Sequence, residues 1–226
     1  MPATYRVHRQ AAATLVWQPT DSEGEPITAT GTPTVTVTRG DGTALVPASG
    51  PSIVSGAVIL SLTAAELSIV DRLTVTWLLD AVARGTSTVD VVGGVYLTVA
   101  EIRALEPSMS DPSEFPAATL QRCRREVEAR FERSIQAVAF VPRLSVYRFN
   151  AKPYATVILP HFFVTGVYWA RYWLDNAWTS LTTTDVIVSD TGVVRLDPDL
   201  APWGTVVEVG YVHGLPSPPD LSLIHI

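Results

Sequence analysis

Residues 115–135, FPAATLQRCRREVEARFERSI, carry the one long helical pattern in a chain otherwise written in strands and turns. Pro116 suits the first helical turn, where a missing N–H costs nothing, and no breaker follows from Ala117 to Ile135. Ala117, Leu120, Cys123, Val127, Phe131 and Ile135 recur at steps of three and four, the spacing of one apolar stripe. The other faces carry Arg122, Arg124, Arg125, Glu126, Glu128, Arg130, Glu132 and Arg133. Arg122–Glu126, Arg124–Glu128 and Glu126–Arg130 are i,i+4 pairs, each worth about 0.2–0.5 kcal/mol. A helix over 116–136 is roughly 30 Å long at about 1.5 Å per residue. Its stripe needs cover from the sheet that follows or from a neighbouring subunit, and Cys123 on that stripe reads as a small buried hydrophobe. A helix set between strand-rich stretches predicts an α+β protein: an N-terminal all-β sandwich, then a helix-plus-β-meander domain.

Upstream, residues 1–94 read as the sandwich. Short alternating runs at 4–9, 13–18, 33–39, 57–62, 72–80 and 86–92 are separated by turn clusters. Leu73, Val75 and Trp77 alternate with Arg72, Thr74 and Thr76, so one face enters a core. Arg39-Gly40-Asp41-Gly42 is an Asp-Gly hairpin turn, a better reading than an adhesion tripeptide. Thr63 and Glu66 fit a capping box. The segment LSIVDRLTVTW (67–77) resembles the corner before a late strand of immunoglobulin-like domains, with Asp71, Leu73 and Val75 on the pattern; the corner tyrosine and paired cysteines are absent. That resemblance concerns architecture, not binding.

Gly93-Gly94 ends this unit, and 95–220 forms the second. Val95–Val99 reads as a short strand, Thr98 and Glu101 as a capping box on a helix at 99–105, and 106–114 as a loop with two prolines. After the long helix come strands at 138–150, 156–159, 164–174, 186–189, 193–196 and 205–212, with turns at Asp175-Asn176 and Asp190-Thr191-Gly192.

The 226 residues are 47% hydrophobic and 17% charged, with 17 Pro and 14 Gly, a globular strand-and-turn composition. A net charge of −6, without a basic tract outside the glutamate-interleaved helix, disfavours tight nucleic-acid binding. No apolar run approaches membrane-spanning length, and the N-terminus lacks a signal-peptide pattern, so a soluble, cytosolically made protein is expected. Catalytic chemistry has no visible carrier. His8, His161 and His213 stand far apart in sequence, no HExxH or CxxC occurs, and Asp185, Asp190, Asp197 and Asp199 lack the spacing of a calcium loop. No catalytic residue, cofactor or metal ligand is assigned. Trp169, Trp173 and Trp178, with Tyr168 and Tyr172, form either a sugar platform or, more simply, sheet core or subunit contact.

The order of elements in the second unit carries a resemblance. A short helix, a loop and the long Arg/Glu helix precede a meander. It holds a hydrophobic-Pro step, ILPHFFVTGVYWA (158–170), a hairpin, VSDTGVVRL (188–196), and a strand running into prolines, VEVGYVHGLPSPPD (207–220). Over about 97–220 this resembles the head–tail connector proteins of long-tailed bacteriophages, adaptors that dock under the portal ring. The resemblance implies a wedge-shaped subunit whose copies form a ring in the neck of the virion, assembled in the host cytoplasm. The implied partners are the portal protein on one side and a downstream neck or tail-completion protein on the other. DNA would pass through the lumen without specific binding; no membrane is involved and no enzymatic activity is implied. Arg122, Arg125, Arg130, Arg133, Trp169, Trp173 and Trp178 are then candidate contacts with other copies or partners. Two departures stand out: the added sandwich, and the absence of a C-terminal helix that completes the family's bundle. The last six residues, Leu221–Ile226, are what CTGTCTCTTATACACATC encodes, and they resemble a translated sequencing-adapter end. On that reading the natural part ends near Asp220 and 221–226 is an artefact tail. The alternative from a different class is an immunoglobulin-like adhesion or carbohydrate-binding module, which requires exposed aromatics in the sandwich.

Overall fold

Alternation in the first ninety residues resolves into two facing sheets. The computed structural model describes residues 3–134, 139, 141–151, 156–183, 186–189, 191–196 and 204–215. The first strands are β1 (Ala3–His8), β2 (Ala13–Trp17), β3 (Pro33–Thr38), β4 (Ala44–Leu45), β5 (Ser52–Val54), β6 (Ala57–Leu62), β7 (Asp71–Leu79) and β8 (Val82–Val92). One sheet has the order β1-β8-β7-β3-β4 and the other β2-β6-β5. β1 lies parallel to β8, whereas the other pairings are antiparallel. Along β7 the burial alternates as the sequence dictates: Leu73, Val75 and Trp77 are inside and Arg72 and Thr74 are outside. These side chains meet Leu15, Leu60 and Leu62 from the facing sheet, each contributing about 1.5–3 kcal/mol on burial. Trp77 buries its indole at no polar cost, because Nε1 donates to Ser87 Oγ at 2.9 Å. Glu66 accepts from Thr63 N and Thr63 Oγ as a capping box requires. Gly42, at φ +92°, takes the left-handed position of the turn between β3 and β4.

No strand forms at 95–99. Helix α1 (Val99–Leu105) starts there instead, with Thr98 and Glu101 bonded reciprocally as its cap. A 3-10 turn, Pro107–Met109, leads toward α2 (Ala117–Ser134). The strands that follow are β9 (Arg143–Asn150), β10 (Thr156–Ile158), β11 (Val164–Leu174), β12 (Ala177–Leu181), β13 (Val186–Val188), β14 (Val193–Leu196) and β15 (Val206–His213). They form a four-stranded sheet, β12-β11-β15-β9, and a three-stranded one, β10-β14-β13. Val207, Val209, Tyr211, Ala170, Val186 and Val194 pack together in a second core.

The expected α+β class is therefore corrected. Among the described residues strands take 48% and helices 13%, with two α-helices, so the protein is β-rich, built from several sheets. The helical signal at 115–135 was strong but local, and sheet pairing organises both cores. The cores are joined by a small buried cluster of Val70, Leu144 and Val212, and Gly93 N donates to Pro142 O at 2.7 Å.

Candidate contact surface

The two faces of the β12-β11-β15-β9 sheet differ sharply. Tyr147, Phe149, Val207, Val209, Tyr211 and Tyr172 point into the second core. Cross-strand register places the opposite set together: Trp173 faces Trp178, Arg171 faces Glu208, Glu208 faces Arg148, and Trp169 faces Gly210. Glu208 is 2% exposed. It accepts from Arg148 Nε through Oε1 at 2.5 Å and from Arg171 Nε through Oε2 at 2.6 Å. A carboxylate this deep is tolerable because two guanidinium groups satisfy it. The Arg171 guanidinium lies between two indoles, 4.8 Å from the Trp169 ring and 4.6 Å from Trp178, and Trp178 meets Trp173 edge-on at 5.1 Å. Arg171 Nη1 then reaches Asp41 O of the β3–β4 turn at 3.0 Å, tying this face to the sandwich.

Between the two runs a groove of roughly 630 Å³, lined by Arg39, Arg72, Arg148, Arg171, Trp169 and Glu208 among others. Arg39 is paired with Asp71, and Arg72 with Asp90. The structure thus gathers Trp169, Trp173 and Trp178 on one face, with Trp173 39% exposed. Tyr172 lies on the opposite face, so the five aromatics do not make one platform. Arg148, Arg171 and Glu208 were not singled out by the sequence; the one local signal was Arg171, set at period 2 between Trp169 and Trp173, while Arg148 and Glu208 join it only through strand pairing.

Helix α2 overturns the expected stripe. Leu120 is 6% exposed, but Val127 is 58% exposed and Cys123 is exposed. The inward face is Leu120, Arg124 and Glu128. Glu128, 3% exposed, accepts from Tyr96 N at 3.0 Å, and Arg124 donates to Leu97 O at 3.0 Å. These two charged residues cap free backbone groups of the chain entering α1, which outweighs the apolar pattern in setting the helix's rotation. Arg122, Arg125 and Arg130 are exposed on the outer side; the side chains of Phe131 and Arg133, and Ile135, lie outside the described residues.

Two of the three histidines come together, His161 and His213, whereas His8 lies by Arg124. His161 Nδ1 lies 2.6 Å from Tyr211 Oη, the rings of His161 and His213 stack at 3.9 Å, and Ser145 Oγ is 2.9 Å from His213 Nε2. His213 is fully buried, and desolvation, with help from His161 and Arg143, pushes its pKa down to about 3. Burial also lowers His161 and raises the Tyr211 phenol. His213 is therefore neutral at pH 7, a stacked packing element between strands. Among the described residues no group of three or more His, Cys, Asp or Glu is placed to hold a metal. Asp185, Asp190, Asp197 and Asp199 lie outside the described residues, as does 216–226.

No family model matches the sequence, and no curated protein is significantly similar to it. No helix among the described residues is long and apolar enough to cross a membrane.

Proposed function

We propose that this chain is a structural subunit of a phage neck, a head–tail adaptor that assembles as a ring under the portal and leaves a lumen for DNA. The observation that carries the reading is the outer side of α2. An eighteen-residue helix turns Gln121, Arg122, Cys123, Arg125, Glu126, Val127 and Arg130 outward and is held by a narrow inner face of Leu120, Arg124 and Glu128. Arginine is enriched in protein contacts, and here three arginines share the outer side with the exposed apolar side chains of Cys123 and Val127 and a single glutamate, Glu126. The Trp/Arg face of the β-sheet offers a second such surface, and the net charge of −6 suits a channel past which DNA slides. An adhesive role draws no support from the tryptophans of the sandwich: Trp77 is fully buried, and Trp17 stacks on it at 5.8 Å. Co-sedimentation of the protein with purified portal rings tests the proposal. Retention on portal, lost when Arg122 and Arg125 are replaced by Glu, supports it; recovery of the protein on glycans through the sandwich instead of on portal sinks it.

A further inference from the structure

The arginine groove between the sandwich and the β12-β11-β15-β9 sheet has cationic capacity left over. One carboxylate, Glu208, serves both Arg148 and Arg171. Arg148, 67% exposed, and Arg72, 52% exposed, each spend only Nε on an acidic partner, Glu208 and Asp90 respectively. Their terminal nitrogens are thus open to a further acceptor in the same groove, and a guanidinium fork is shaped for a carboxylate. Counting Arg39, Arg72, Arg148 and Arg171 against Asp71, Asp90 and Glu208 leaves the site one positive charge, 4 − 3, in a chain of net −6.

The same chain carries the complementary piece. Glu101, Glu106, Asp111 and Glu114 are all exposed on α1 and the loop to α2. Glu101, Glu106 and Asp111 bond only within their own turns, to Thr98, to Ser108, and to Ser113 and the Glu114 backbone, and none of the four makes an ion pair among the described residues. The cap bonds hold the loop in one shape, which lowers the entropy cost of docking it.

The geometry points to a second copy of this chain as the occupant of the groove, with the acidic loop 106–114 of one copy seated against Arg72 and Arg148 of the next. The contact joins different surfaces, so it propagates head to tail, as rings and filaments require. It deepens the adaptor reading and rests on it only for closure into a ring. DNA phosphate is the competing acceptor. The three carboxylates lining or flanking the groove and the net charge of the chain favour a short acidic segment over a polyanion.

Charge exchange tests this without portal. One variant carries Arg72→Glu and Arg148→Glu; the other carries Glu106→Lys and Glu114→Lys. A milder pair, Arg72→Gln with Arg148→Gln, guards against misfolding, and circular dichroism checks each. Sedimentation velocity at low salt, up to the highest soluble concentration, should show wild type self-associating, the association weakening as salt shortens the screening length. Each variant alone should stay monomeric, and an equimolar mixture of the two charge-swapped proteins should associate again. A monomeric wild type, a mixture that fails to associate, or a groove that binds a duplex DNA fragment in an Arg72- and Arg148-dependent way overturns the inference. Failure to bind portal by a protein that passes this test would count against the adaptor reading alone.

Discussion

The indole of Trp169 lies across Gly210 of the neighbouring strand: a Cβ built at Gly210 would sit 2.2 Å from Trp169 Cε2. The same indole carries the Arg171 guanidinium, so Gly210 makes room for the Trp169–Arg171 pair. Gly210→Ala should displace the ring and cost about 1–3 kcal/mol. Gly166, on the partner strand β11, has open space where its Cβ would stand, and Gly166→Ala should be neutral or mildly stabilising. Urea melts of the two variants check the contrast.

Glu208 and its two arginines should respond unequally. Removing the carboxylate in Glu208→Ala leaves Arg171, 20% exposed, without its partner and should cost about 3–5 kcal/mol. Arg148→Ala should stay within about 1 kcal/mol, because that side chain is largely solvated. Equal losses in a thermal melt would mean that the network is not anchored on Glu208.

The rotation of α2 makes its own prediction. Leu120→Ala should destabilise by about 2–5 kcal/mol, whereas Val127→Ala, more than half exposed, should stay within about 0.5 kcal/mol. Arg124→Ala, which strands Leu97 O and the Glu128 carboxylate, should cost more than Val127→Ala. The reverse order in denaturant melts would restore the stripe read from periodicity.

Much of the fold was legible from residues. Alternation placed β2, β6, β7, β11 and β15 almost to the residue, and Thr98 with Glu101 marked the start of α1. The short β4 and β5 escaped, since two or three residues cannot display a period. The helix was legible as a helix but not in its facing: Arg124 and Glu128 look solvated in a one-dimensional pattern, yet they turn inward to bond the backbone of Leu97 and Tyr96. The histidine cluster escaped for a different reason. His161 and Tyr211 are fifty residues apart, and only the pairing of β11 with β15 brings them together.

That cluster should make stability fall in acid. His213 has a folded pKa near 3 against an ordinary 6.5, so the unfolded chain takes up its proton first as pH drops. Its contribution is fully present above about pH 6.5 and is lost progressively from there toward about pH 3, with His161 acting in the same direction. His213→Phe should be less stable than wild type at pH 7, with the gap narrowing by pH 4. A gap that stays constant across that range would show that His213 does not titrate differently on folding.

Electron microscopy of portal rings mixed with the protein tests the central claim most directly. The adaptor account predicts an added layer of density beneath the portal with rotational order matching it, sensitive to charge reversal at Arg122 and Arg125 on the outer side of α2. Portal rings that remain bare at saturating protein, while the protein is folded and its β-sheets intact, would contradict it.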